Sequence, residues 1–127
     1  MPKFALENIN SIKGKQVFEK LLIDDICQLD SYETNLEKKY KNELAMIYLY
    51  MNEVANLRYP PETKYKDITP PKETVKEYEF RSKHLRIYAI KKENNKIILL
   101  GGYKNRQVRN IKEFRSIKKM FLEEKDK

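Results

Sequence analysis

Between Tyr78 and Arg106 the chain gathers the side-chain types that chemistry on a polyanion uses. Arg81 and Arg86 bracket a short turn with His84 in it, and Tyr103, Lys104 and Arg106 close an apolar run further on. A guanidinium holds a phosphate through two parallel N–H bonds and stabilises the negative charge that develops during its transfer. Strand alternation sets Glu79 and Arg81 opposite Tyr78 and Phe80, so Arg81 need not interrupt an apolar face. The same placement leaves open a cross-strand salt bridge from Arg81 to Glu79 or Glu77 elsewhere in the sheet, or a solvated arginine. His84, the only histidine, belongs to the residue type that exchanges protons near neutrality, although a lone histidine in a turn also fits simple exposure. Tyr103 can stack on an unpaired base or donate a proton, Lys104 can neutralise a phosphate without fixing its direction, and Arg106 can join them beside Arg81 and Arg86.

Charge supports this focus. The 127 residues carry a net +8. Residues 1–57 hold 7 basic and 9 acidic side chains, residues 58–127 hold 20 and 10, and residues 81–119 alone hold 13 and 2. So local an excess suits a phosphate backbone or an acidic protein partner better than mere solubility. Gly101-Gly102 matches neither phosphate-loop pattern. The basic half has no carboxylate cluster for magnesium, and Cys27 and His84, each the only one of its kind, cannot make a Cys/His zinc site or an internal disulfide. Any phosphodiester cleavage is therefore expected to be metal-independent and cofactor-free, with protein groups supplying what a metal would. No apolar run approaches 18 residues, and Met1-Pro2-Lys3 leads into polar sequence, so the expectation is a cytoplasmic protein with no membrane partner.

These residues need elements to position them, and the hydrophobic period supplies a scheme for one domain over 1–127. Phe4, Leu6 and Asn8 alternate as in a short strand. Phe18, Leu22, Ile26 and Leu29, widened by Val17 and Leu21, predict a helix over 15–29. Asp30 and Glu33 fit a capping box for a second helix carrying Leu36, Tyr40, Leu44, Ile47, Met51 and Val54 and stopped by Pro60-Pro61. The short join predicts an N-terminal helix hairpin. Beyond the prolines, a small extended piece at 65–68 precedes strands over 75–81, 85–91 and 96–100, with a turn at Asn94-Asn95 and a bend or bulge at Gly101-Gly102. Ile111, Phe114, Ile117 and Phe121 stripe a last helix that begins after Asn110, capped by it with Glu113 at the third position. Helices followed by strands give an α+β class, with the hairpin packed on a small, mostly antiparallel sheet.

The order and residues of this second half resemble a known family. Residues 75–121, VKEYEFRSKHLRIYAIKKENNKIILLGGYKNRQVRNIKEFRSIKKMF, are similar to the RelE/HigB-like toxins of bacterial type II toxin-antitoxin modules, in particular the phage-derived HigB-like branch, and the resemblance extends over about residues 3–122. EYEFR matches the family's common glutamate-leucine-arginine type strand, LRIYAI the following arginine-bearing strand, and KIILLGGYKN the strand that leads to a lysine-rich turn. The resemblance implies a RelE/ParE-like fold and a ribosome-dependent mRNA endoribonuclease that inhibits translation, working on mRNA in the ribosome and neutralised by a cognate antitoxin. It further implies that Arg81 and Arg86 hold the phosphate with Lys83 assisting, that Tyr103 and Lys104 line the substrate cleft, and that Lys66 reaches the same edge. Joined to the reading of the residues themselves, this gives a catalytic set of Arg81, Arg86, Lys83, His84 and Tyr103 and an RNA-binding set of Lys66, Lys104, Arg106 and Arg109. The chain lacks the catalytic tyrosine or histidine that several active relatives carry near the C-terminus, ending instead in Phe121-Leu122-Glu123-Glu124-Lys125-Asp126-Lys127. A ParE-like gyrase inhibitor and a non-catalytic module that binds nucleic acid or an antitoxin stand as the alternatives.

Overall fold

A computed structural model describes residues 2–125. Its centre is a mixed seven-stranded sheet in the order β1-β2-β7-β6-β5-β4, with β3 paired to β2 off that path. The strands are β1 (Phe4–Asn8), β2 (Phe18–Ile23), β3 (Ile26–Cys27), β4 (Tyr65–Asp67), β5 (Glu77–Arg81), β6 (Leu85–Lys92) and β7 (Asn95–Tyr103). All neighbours run antiparallel except β2 and β7, which are parallel. Helices α1 (Gln28–Asn35) and α2 (Lys41–Ala55) cover one face, and α3 (Gln107–Lys125) covers the other.

Two cores follow from that layering. Phe18, Phe80, Ile87 and Ile98 meet Leu29, Leu44, Ile47 and Met51 under α1 and α2. Leu21, Tyr88, Ile97 and Leu99 meet Phe114, Ile117 and Phe121 under α3. Burying each large apolar side chain contributes about 1.5–3 kcal/mol, so both faces of the central strands are locked in place.

The α+β class, the C-terminal helix and the strands of the second half agree with expectation, whereas the N-terminal helix hairpin is not present. Residues 18–23 form β2, and the i, i+4 stripe of Phe18 and Leu22 is a coincidence of a strand covered on both faces. Phe18 packs toward α2 while Leu21 packs toward α3, so apolar residues stand on both sides and hide the two-residue alternation. Asp24 and Asp25 then turn the chain with positive φ angles of 50° and 67°. Two consecutive left-handed residues are the signature of the tight hairpin turn, and aspartate tolerates them better than most side chains. The first helix starts at Gln28, where Cys27 Sγ accepts from the Asp30 N–H at 3.4 Å. Asp30 thus lies inside the first turn and pairs with Lys20, while Glu33 accepts from the Tyr48 hydroxyl instead of closing a capping box.

The glycine pair has a different use from the expected bend. Strand β7 runs straight through Gly101 and Gly102, and the irregularity in its pairing with β6 lies earlier, at Tyr88/Ala89. A Cβ on Gly101 would lie 2.5 Å from the Tyr32 ring, and one on Gly102 would lie 1.9 Å from the Asn110 amide. Side chains from α1 and α3 therefore close on the strand from opposite faces, with Tyr32 donating its hydroxyl to Gly102 O at 2.9 Å. Asn110 serves this contact three residues inside α3, which begins at Gln107 and not after Asn110.

Candidate functional site

The turn between β5 and β6 projects Ser82, Lys83 and His84 beyond the sheet edge, and the first turn of α2 brings Glu43 against it. Glu43 Oε1 accepts from the Ser82 hydroxyl at 2.5 Å and from the His84 backbone N–H at 2.8 Å; Glu43 Oε2 lies 2.7 Å from His84 Nδ1. Burial raises the Glu43 carboxyl, but the hydrogen bonds from Ser82 and His84 outweigh it and hold the group below the ordinary carboxylate range. An ionised Glu43 accepts the Nδ1 proton, which leaves the lone pair on Nε2. Nε2 has no hydrogen-bond partner among the described residues, and the His84 side chain is 44% exposed.

Aromatic rings and cations line the cavity beside that imidazole. Tyr40, from the single 3₁₀ turn (Lys38–Tyr40) before α2, lies 5.0 Å from the imidazole, and Tyr103 lies 5.6 Å from Tyr40. Tyr32 backs Tyr103 edge-on at 6.3 Å. Burial, with smaller contributions from Tyr103 and Glu43, pushes the Tyr32 hydroxyl upward, so it remains a donor to Gly102 O. The Lys104 backbone N–H donates to His84 O at 2.8 Å, tying the end of β7 to the turn. The result is a cavity of about 290 Å³ lined by Tyr40, Lys83, His84, Tyr103, Lys104 and Asn105. It adjoins two wider depressions through shared residues, one reaching Glu37 and Arg106 and the other reaching Arg109 and Lys112 at the start of α3.

Six of the nine residues singled out in the sequence converge on this groove: Lys83, His84, Tyr103, Lys104, Arg106 and Arg109. The other three lie elsewhere. Arg81 donates from Nε to Glu79 Oε1 at 2.5 Å, under α3; glutamate is the expected partner, but the bridge runs along β5 itself and not across strands. Arg86 is buried on the same side; one of its terminal nitrogens donates to Ser82 O and to Leu85 O at 2.8 Å, and its Nε is 3.9 Å from Glu79. Its burial lowers the guanidinium's proton affinity, which the nearby Glu79 opposes. Glu79 Oε2 also accepts from Gln107 at 2.8 Å. Lys66 is exposed on β4, in register with Glu79.

Sequence reasoning missed Glu43 and Tyr40. Nothing local marks Glu43, which lies 41 residues from its partner and reads as one more acid on an amphipathic helix. Tyr40 fitted the apolar stripe of that helix, and it packs against the rim of the core while also lining the cavity. Comparison of the chain with protein-family models, with curated proteins and with solved structures found no match. Among the described residues, no helix is long and apolar enough to cross a membrane.

Proposed function

We propose that the chain is a ribonuclease that takes an unpaired RNA strand into the groove between the 82–84 turn and the start of α3, with His84 as the general base. The observation that carries this reading is the His84 Nδ1 to Glu43 contact at 2.7 Å, on a half-exposed ring between two tyrosines and two lysines. In the proposed step His84 Nε2 takes the proton from a ribose 2′-hydroxyl, the 2′ oxygen attacks the adjacent phosphorus, and the bond to the 5′ oxygen breaks. Lys104 returns a proton to that leaving oxygen, so the products are a 2′,3′-cyclic phosphate and a 5′-hydroxyl. Tyr40 and Tyr103 offer ring faces to the flanking bases, and Lys83, Arg106 and Arg109 meet the backbone.

The toxin resemblance gives this activity a setting. EYEFR, LRIYAI and KIILLGGYKN form the adjacent antiparallel strands β5, β6 and β7 and lead into α3, which supports a RelE/HigB-like reading of residues 75–121. The proposal is therefore a translation-inhibiting mRNA endoribonuclease of a toxin-antitoxin module, held in check by an acidic partner that covers the same positive groove.

The test is RNA-end mapping with purified protein, on free single-stranded RNA and on translating ribosomes. His84→Ala should lower the cutting rate by about 10²- to 10⁴-fold while the protein stays folded by circular dichroism. A 2′-deoxy substitution at the cut site should block the reaction. Arg81→Ala decides between locations: loss of cutting there, with His84→Ala still active, would move the chemistry to the Glu79 side. No cutting by the wild type together with direct inhibition of gyrase would establish the ParE-like alternative instead.

A further inference from the structure

A row of nearly parallel tyrosine rings stands along the β4 edge of the sheet, outside the His84 cavity. Lys96 Nζ lies 4.9 Å from the centroid of the Tyr78 ring, Tyr78 stacks on Tyr65 at 5.3 Å and 18°, and Tyr65 stacks on Tyr59 at 6.3 Å and 14°. The row begins at a buried ammonium and ends at a ring that is 65% exposed. Strand register explains its inner part: Tyr65 pairs with Phe80, so Tyr65 and Tyr78 rise on the same face of neighbouring strands. Pro60-Pro61 explains its outer part. The Lys64 and Tyr65 N–H groups donate to Pro61 O at 2.8 and 3.0 Å, and this turn folds Tyr59 back beside Tyr65.

The charges around the exposed end are mixed. Residues 58–67 carry Arg58, Lys64 and Lys66 against Glu62 and Asp67. Arg58 is paired with Glu53, and the Asp67 carboxylate accepts from the Thr69 N–H; Lys64, 6.0 Å from the Tyr50 ring of α2, has no ion pair among the described residues, while Lys66, in register with Glu79, stands on the opposite face of β4. Lys64 also joins this edge to the groove, because its carbonyl accepts from the Arg81 N–H at 2.8 Å, one residue from the turn that carries His84.

We propose that Tyr59 is a stacking subsite for one unpaired base of a bound RNA strand, with Lys64 meeting a neighbouring phosphate. The inference rests on the RNA reading given above and extends the path of the strand from the cavity, across the 82–84 turn, to the edge of the sheet. Every base has a flat face that an aromatic ring can cover, so such a platform holds the strand without reading its sequence. A ring already held by two others in a row loses little freedom when the base arrives.

The chain contains no tryptophan, so Tyr59→Trp introduces a single indole at the site. The full-length protein is titrated with a 2′-O-methyl oligouridine of about 12 nucleotides, long enough to span a single-strand site, unable to be cut by its own 2′ oxygen, and labelled with fluorescein. Indole emission should be quenched in step with the rise in anisotropy. Tyr59→Ala should weaken binding about 5- to 30-fold and Tyr59→Phe should retain it, with circular dichroism unchanged in both. Binding with constant indole emission and an unaffected Tyr59→Ala variant would overturn the subsite while leaving the RNA reading intact. Failure of the wild-type protein to bind the oligonucleotide would remove both.

Discussion

The Glu77 and Glu79 layer beneath α3 and the Glu43 cluster beneath the cavity use one chemical pairing, a carboxylate with nitrogen donors, yet only the second leaves a reactive atom over. Glu77 takes Arg115 at 3.0 Å on one oxygen and Lys118 at 2.8 Å on the other; Glu79 takes Arg81 and Gln107. Their charged partners are guanidinium and ammonium groups, which have no lone pair at neutral pH, and α3 covers them. Such a layer can hold a helix on a sheet and do little else. Glu43 instead faces an imidazole, which has two nitrogens, and binding one of them leaves the other without a partner among the described residues, on a ring that lines an open cavity. The arginines that look most like a phosphate clamp in the sequence belong to the first kind of cluster, and the lone histidine belongs to the second.

The comparison breaks most visibly at Glu77. Lys118 is buried, and besides Glu77 it has Glu73 at 2.9 Å and the Val75 carbonyl at 2.8 Å. Removing the central carboxylate with Glu77→Ala leaves a buried ammonium with too little opposing charge, a change that costs about 3–5 kcal/mol. Urea unfolding should show that loss as a lower midpoint with an unchanged slope. The double variant Glu77→Leu, Lys118→Met should recover much of it, since the pair itself contributes little net stability. Equal destabilisation by the single and double variants would mean that the layer acts through packing and not through charge.

What the sequence makes legible divides along similar lines. The strands of the second half could be read because β5 to β7 are bounded by a turn and by prolines, and the last helix because Phe114, Ile117 and Phe121 recur at helical spacing on a single buried face. Residues 15–35 misled because β2 is covered on both faces, and its apolar residues then fall at spacings that a helix would also give. Six of the nine candidate site residues meet in the groove because they lie on one turn and on the segment that closes β7 and opens α3. Glu43 could not be found: its role depends on where α2 is set down on the sheet, which is a matter of tertiary packing. The fates of Arg81 and Arg86 turned on the same issue, since period-two alternation gave the face of Arg81 correctly but not the helix that covers it.

Glu43→Gln sharpens the comparison at its second pole with a smaller effect on stability. The amide keeps the shape but loses the charge that draws the Nδ1 proton, so it also allows the tautomer with the proton on Nε2. RNA cutting should fall about 10²-fold, while the loss of charge-assisted bonds to Ser82 and His84 costs about 1–3 kcal/mol. The carboxyl is held below its ordinary range in the folded protein, so its contribution is present above the unfolded value and disappears as pH falls through the folded one. Wild type should therefore lose stability in acid relative to Glu43→Gln, with the two curves running parallel above that range. An unchanged gap between them in acid would show that the cluster is held by shape alone.

The smallest effect concerns a buried cation that has neither kind of carboxylate. Lys96 is 3% exposed; it donates to Gln16 Oε1 at 3.0 Å and stands over the Tyr78 ring, while Lys91 lies opposite it on β6. Burial, with Lys91 adding to it, pushes its ammonium down to about 8. An unfolded lysine titrates near 10.4, so between the two values the unfolded chain binds more protons than the folded one, and stability must rise with pH across that interval. Below it, at neutral pH, the folded protein bears the cost of a desolvated charge. Lys96→Met fills the same volume without that charge, and should match or exceed wild-type stability at neutral pH by about 1 kcal/mol. The difference between the two proteins in urea midpoint should then shrink as pH is raised, because other titrating groups are common to both. A difference that stays constant up to strongly alkaline pH would mean that folding leaves the titration of Lys96 where it stands in the unfolded chain. In that event the Gln16 and Tyr78 contacts compensate the ammonium as fully as Glu77 compensates Lys118, and a carboxylate is not what a buried cation in this fold requires.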